Sequence, residues 1–437
     1  MVNRKVIVVG AGIGGLGAAY WLGRKGYDVE ILEATNRPGG RMHTMERNGD
    51  RFEAGALFYH SHYRYAVELM KVVDLYKTKR PIHGLMRFAM KDGSGFKYNH
   101  NIPYMKPLGF GGNLKIFWFI IKEIILKKQD PLNKIRNSHP EWDDVCILDY
   151  WNSDSPADRA LRDFVVNPSS VATNDGWPEY LNLAHFIHCV RIDTFTSFFA
   201  LVGGTSSLTQ KLARLVNVRY ENPVRRLVVE KNRVVGVEME AGGEVKKAAH
   251  VVVAVAPPFV SKLLPEELGE QAGLFDEVLV NPYPVAIFYL DRHLDKNIWA
   301  YFSEMSERKT FTWAVDHCSK TPDGVPGGKS ILTAYSAHPV TLELIKKPDE
   351  EILKTAKEDL EAFIPGFSGS IEDAALHRHN HAVCRYPVGS YRLATQIRAK
   401  ALTARGVSFI TDFTGGGYIE AALDSARAAV DRICRLD

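Results

Sequence analysis

Gly10-Ala11-Gly12-Ile13-Gly14-Gly15 and, eighteen residues further on, Glu33 are the residues whose types and spacing specify chemistry most directly. Glycines at this spacing, placed after an apolar run and before a helical pattern, build a turn that can hold a pyrophosphate. Gly10 permits the tight turn, Gly12 lets backbone approach the phosphates, and Gly15 lets helix and strand pack closely. Ile13 and Gly14 sit at the helix start, where unpaired N–H groups meet anionic oxygen. Glu33 can accept the two hydroxyls of a ribose. Strand, turn, helix and acid together favour dinucleotide binding over a plain glycine-rich turn.

Arg37-Pro38-Gly39-Gly40-Arg41 follows almost at once. Arg37 and Arg41 carry forks of donors suited to pyrophosphate charge, and Gly39 and Gly40 let backbone lie against a ribityl chain. A flavin dinucleotide needs such a segment and a plain nicotinamide site does not. At the other end, Val407 to Phe413 reads as an apolar strand containing Asp412. A glycine loop, Thr414-Gly415-Gly416-Gly417-Tyr418, leads into a helical pattern from Ile419 to Leu436 with a small-residue face that includes Ala422. Between the two ends lie Gly203-Gly204-Thr205 and a series of short valine-rich strands up to Val255.

These three blocks resemble the flavin-containing amine oxidase, protoporphyrinogen oxidase and phytoene desaturase superfamily. The departures are Thr411, Ala421 and Ala426, which stand where that family commonly has glycine. The resemblance implies FAD as cofactor. It places Val224 near the adenine, Asp412 on the ribityl chain and the helix start at Tyr418-Ile419 beside the flavin, where a helix N-terminus favours negative charge. Ala34, Gly55, Ala56, Leu57 and Ala256 complete the expected cofactor contacts.

The same resemblance frames the catalytic question. Gly389-Ser390-Tyr391 stands where monoamine oxidases have glycine, a flavin-linked cysteine and tyrosine. Serine forms no thioether, so the flavin is expected to be bound non-covalently. Tyr391 and Tyr418 match the two rings of the amine-oxidase aromatic cage and are the candidate catalytic residues. The strand Pro282 to Leu290 carries no lysine, unlike the water-holding lysine of those oxidases. The expected activity is therefore hydride transfer to flavin from an amine or from an apolar polyene or porphyrinogen-like substrate. The alternative is a flavoprotein without net redox turnover, an isomerase or a flavin-containing binding protein.

The elements that must position these residues give an α/β fold. A Rossmann-type FAD-binding domain in three segments (1–79, 201–261 and 385–437) is joined to a mixed α+β substrate domain. Residues 80–200 of the latter read mainly helical, with breaks at Pro103, Pro107, Pro131, Pro140 and Pro178, and residues 262–384 read as mixed sheet. The 437 residues suit two or three domains, and the +4 balance from 55 basic and 51 acidic residues carries no nucleic-acid footprint. The expected partner is a small molecule, apolar or amine-bearing. Five cysteines without a CxxC pair suit reduced thiols and a cytoplasmic setting. The apolar N-terminus is read as the first strand and helix of the fold, not as a targeting segment.

Two segments have more than one reading. Leu114 to Lys128 is too short and too charged to span a bilayer; it reads as a helix roofing an apolar cavity, or as a basic amphipathic helix on a membrane surface, with the roof favoured. His377, His379 and His381 share a face if they lie on a strand. No carboxylate or cysteine accompanies them at ligand spacing, so no metal site is expected, and cavity lining or plain packing is.

Overall fold

Strands that are buried on both faces become continuous apolar runs, and this chain has five that join in one parallel sheet. Their order is Asn217–Arg219, Asp28–Leu32, Lys5–Val9, His250–Val253 and Val407–Phe409. Val6 to Val9 and Val251 to Val253 are buried throughout. The structure, a computed structural model, describes residues 4–90, 94–99, 105–127, 140–173, 176–193, 196–325, 329–403 and 405–436; Pro103, Lys128 and Pro131 lie outside the described residues.

The first helix, Ile13–Gly23, and the last, Ile419–Leu436, pack on each other against this sheet. Small residues make the approach close. A Cβ on Gly17 would stand 2.7 Å from Leu423 Cδ2, and one on Gly14 would stand 2.7 Å from Ile410 Cγ2. A three-stranded antiparallel meander, Val224–Glu230, Arg233–Met239 and Val245–Lys247, precedes the fourth parallel strand.

The second layer is a seven-stranded sheet in the order Ile371–Cys384, Val280–Leu290, Ser330–Ser336, Phe311–Asp316, Ile298–Phe302, Leu85–Ala89 and Gly95–Tyr98. Its pairs are antiparallel except Ile298–Phe302 with Leu85–Ala89. The last two strands come from the region read as mainly helical. Runs of four or five residues are too short for periodicity to separate strand from helix, and pairing to Ile298–Phe302 decides the matter. The helices of that region, among them Gly109–Phe119 with its π-helical continuation Ile120–Ile125, Pro156–Leu161 and Leu183–Asp193, pack over the other end of the cavity described next.

Candidate active site

The carboxyl ends of the parallel strands open onto one large cavity of about 1040 Å³, lined there by Val9, Leu32, Ala254 and Ile410. This is the crevice where α/β sheets bind ligands. Around it the glycine turn divides its labour. Gly10 has φ +103°, and a Cβ there would stand 2.7 Å from Ala254 O. A Cβ on Gly15 would fall 2.1 Å from Gly10 O, so Gly15 serves helix–strand packing and does not line the cavity. Gly12 differs from both. Its backbone is ordinary, φ −67°, and a Cβ would meet nothing within 4 Å. The fold itself does not require glycine there. The open space lies at the N-terminus of Ile13–Gly23, where a dinucleotide's phosphates fit.

Glu33 ends the second strand at the cavity edge. Its Oε2 accepts the Ala11 N–H at 2.7 Å, and its Oε1 accepts the N–H and hydroxyl of Thr35 at 2.9 and 2.7 Å. The Gly39 N–H donates to Ala11 O at 2.9 Å, which pins the second glycine pair against the first turn. Gly39 and Gly40, with φ +108° and +55°, both line the cavity. So do Gly10, Gly12, Ile13, Gly14, Glu33, Ala34, Gly55, Ala56, Leu57, Val224, Ala256, Asp412, Tyr418, Ile419 and Ala422.

Both arginines depart from the pyrophosphate role. Arg37 donates to Gly40 O at 3.0 Å and does not line the cavity. Arg41 lines it, but its guanidinium is held elsewhere: Nη1 and Nη2 reach Asp412 Oδ2 and Oδ1 at 2.9 and 2.8 Å, and Nη1 also donates to Ala382 O at 3.0 Å. A buried carboxylate takes a bidentate fork in preference to remaining unpaired.

The expected pairing of Tyr391 with Tyr418 does not form. Tyr418 lines the cavity. Tyr391 is buried outside it, with its hydroxyl 3.3 Å from His185 Nδ1. The reason is local. A helix, Ser390–Thr403, begins here, and Asp143 accepts the N–H groups of both Tyr391 and Arg392 at 3.0 and 2.9 Å. This capture turns the chain away from the cavity. Ser390 is likewise buried, and its hydroxyl donates to Pro387 O.

The rest of the cavity is an apolar chamber. Phe88, Tyr98, Trp299, Phe302, Trp313 and Tyr335 of the seven-stranded sheet form one wall, and Ile116, Ile120, Phe164 and Val165 of the helices form the opposite one. Two residues that no motif announced supply polarity near Tyr418. His60 stands edge-on to the Tyr418 ring, with centroids 5.6 Å apart, and its Nδ1 lies 3.7 Å from Asp193 Oδ1. Asp193 keeps 33% of its side-chain surface open to the cavity yet is shielded from bulk water. That shielding pushes its carboxyl up to about 7. Both residues are remote in sequence from the glycine turns, so only their histidine and aspartate types offered a signal.

His379 and His381 line the cavity, and the His379 Nε2–H donates to Ala54 O at 2.6 Å. His377 packs edge-on to His43, with ring centroids 4.9 Å apart. Burial and neighbouring positive groups lower both His43 and His377 to about 4, so these rings are neutral. Among the described residues no group of three or more His, Cys, Asp or Glu side chains is placed to hold a metal ion.

With this geometry in view, comparison with known proteins is informative. Residues 13–434 match the sequence profile described as flavin containing amine oxidoreductase. A phytoene desaturase (neurosporene-forming) from Cereibacter sphaeroides is 26% identical over 57% of this chain and 52% of its own. An L-amino-acid oxidase from Demansia vestigiata is 26% identical over 52% of this chain and 45% of its own. The chain thus spans about half the length of these curated relatives. Its fold is like that of a protein provisionally assigned as a protoporphyrinogen oxidase from Exiguobacterium, with a TM-score of 0.76, 19% identity and all of both chains covered.

Proposed function

The chain belongs to the flavin containing amine oxidoreductase family, and from that premise we propose that it dehydrogenates an apolar, polyene-like or porphyrinogen-like substrate, leaving a C=C bond. It is an FAD-dependent oxidoreductase. The glycine turn, Glu33, Gly39-Gly40 and the segment Gly55 to Leu57 form the cradle for the dinucleotide, with Val224 and Ala256 at its adenine end. When bound, the flavin supplies a two-electron acceptor for hydride from the substrate carbon.

The protein's own part is to bind, orient and exclude water. The start of Ile419–Leu436 faces the cavity through Ile419 and Ala422 and favours negative charge there. The aromatic and aliphatic walls hold an apolar body by burial. Asp193 and His60 form the single acid–imidazole pair beside Tyr418, where a proton can be held or released near neutral pH.

One observation carries the apolar reading over the amine reading: Tyr391 is outside the cavity, so the two-ring cage that would receive an amine is missing one wall. The test is anaerobic reduction of the bound flavin. Phytoene or a porphyrinogen is expected to bleach it, and cyclohexylamine or an L-amino acid is not. Bleaching by the amines alone would overturn the reading. A flavin that no reducing substrate bleaches would favour turnover without net redox.

A further inference from the structure

The helix Gly109–Phe119 and its π-helical continuation Ile120–Ile125 carry two apolar stripes, not one. Gly112, Ile116, Phe119 and Ile120 are buried, and Ile116 and Ile120 of this set line the cavity. On the opposite side Phe110, Leu114, Phe117, Trp118 and Ile125 are 87%, 56%, 54%, 59% and 53% exposed. Their spacing of three, four and seven residues places them on one face of the helix. An exposed aromatic and aliphatic stripe of this size is unusual on a soluble surface and marks an interaction site.

The flanks of the stripe identify what it meets. Lys115 and Lys122 stand beside it, 44% and 54% exposed, and Lys106 precedes it. Glu123, the one acid in this stretch of helix, is turned inward and bonded to Lys122 and Lys127. A Trp and lysine border around an aliphatic face suits the boundary between acyl chains and anionic headgroups. Among the described residues no helix is long and apolar enough to cross a membrane, so the segment can lie on a bilayer but not span it.

We propose that this helix seats the protein on the surface of an anionic lipid bilayer. The bilayer then contacts the outer stripe while the inner stripe forms the cavity wall, so one helix separates lipid from the chamber. A lipid-dissolved substrate has only that helix to pass. The docking proposal rests on the exposed stripe alone; the substrate reading is tested separately by flavin bleaching, so each can fail without the other.

The experiment is flotation of the FAD-loaded protein with vesicles of phosphatidylcholine, with and without about 30% phosphatidylglycerol. Wild type is expected to float with the anionic vesicles and to be partly released by high salt. Leu114→Ser with Trp118→Ser is expected to reduce the bound fraction roughly tenfold at unchanged FAD content, since neither residue lines the cavity. Phe110→Ser is a second variant, at the exposed tip, should the double variant fold poorly. Wild type that stays unbound with both vesicle types overturns the proposal, as does equal flotation of the variants. So does a dimer in light scattering that the double variant converts to monomer without any vesicle binding, because the stripe would then be covered by a second copy.

Discussion

Arg41 and Asp412, 371 residues apart in sequence, close on each other through two hydrogen bonds of 2.9 and 2.8 Å. The pair ties the segment after the second strand to the loop before the last helix. Both residues line the cavity, so the clamp sets its width at the point where those two segments meet. Removing the arginine leaves Asp412 a buried charge without its fork. Arg41→Met is expected to cost about 3 kcal/mol of stability, read by urea unfolding of the protein freed of FAD. A loss below about 0.5 kcal/mol would mean that the pair is no more than a surface ion pair.

Gly12 and Gly15 are expected to respond oppositely to a side chain. Gly12→Val introduces a Cβ into open space, so the flavin-free protein should unfold within about 0.5 kcal/mol of wild type. The same variant should purify colourless, because valine occupies the phosphate space. Gly15→Val drives a Cβ onto the Gly10 carbonyl at 2.1 Å and should cost about 3 kcal/mol or fail to fold. Yellow Gly12→Val protein would move the phosphate site elsewhere.

Asp193 makes stability depend on pH. Its carboxyl is raised from 3.8 to about 7 by burial, so between those values the folded protein holds a proton that the unfolded chain has released. The stabilising contribution is full below pH 3.8 and lost as pH rises through about 7. Asp193→Asn should flatten the stability profile across that window, measured by thermal unfolding from pH 4 to 8. A profile that keeps its slope in the variant would assign the dependence to another group.

Tyr418 and Tyr391 should separate function from packing. Tyr418→Ala is expected to slow anaerobic flavin reduction by tenfold or more while FAD content stays normal, since the ring positions the reacting carbon. Tyr391→Phe removes only the hydroxyl contact with His185 at 3.3 Å. It should cost about 1 kcal/mol of stability and leave flavin reduction within about twofold of wild type. Stopped-flow absorbance at the flavin band distinguishes the two.

The first strand, the glycine turn, the first helix and Glu33 were legible in the sequence because all lie within thirty-three residues and depend on local rules. Backbone freedom at Gly10, close packing at Gly15 and N–H groups free at the helix start are properties of a short segment. The last helix was legible to the residue, Ile419–Leu436, because its small-residue face repeats with helical period.

What tertiary structure decided was non-local. Arg41 has the right donors for phosphate, yet folding brings Asp412 to it first, and a fixed carboxylate competes with any ligand. Tyr391 has the spacing of a cage residue, but Asp143 captures the N–H groups around it and starts a helix that turns it away. Asp193 and His60 meet beside Tyr418 although they lie 133 residues apart. Sequence periodicity showed that the helix after Gly109 is apolar all round; only packing determined which stripe faces the chamber and which is left to the outside. Side-chain type and local spacing thus fixed the cofactor class, while long-range contacts chose the partners that each side chain meets.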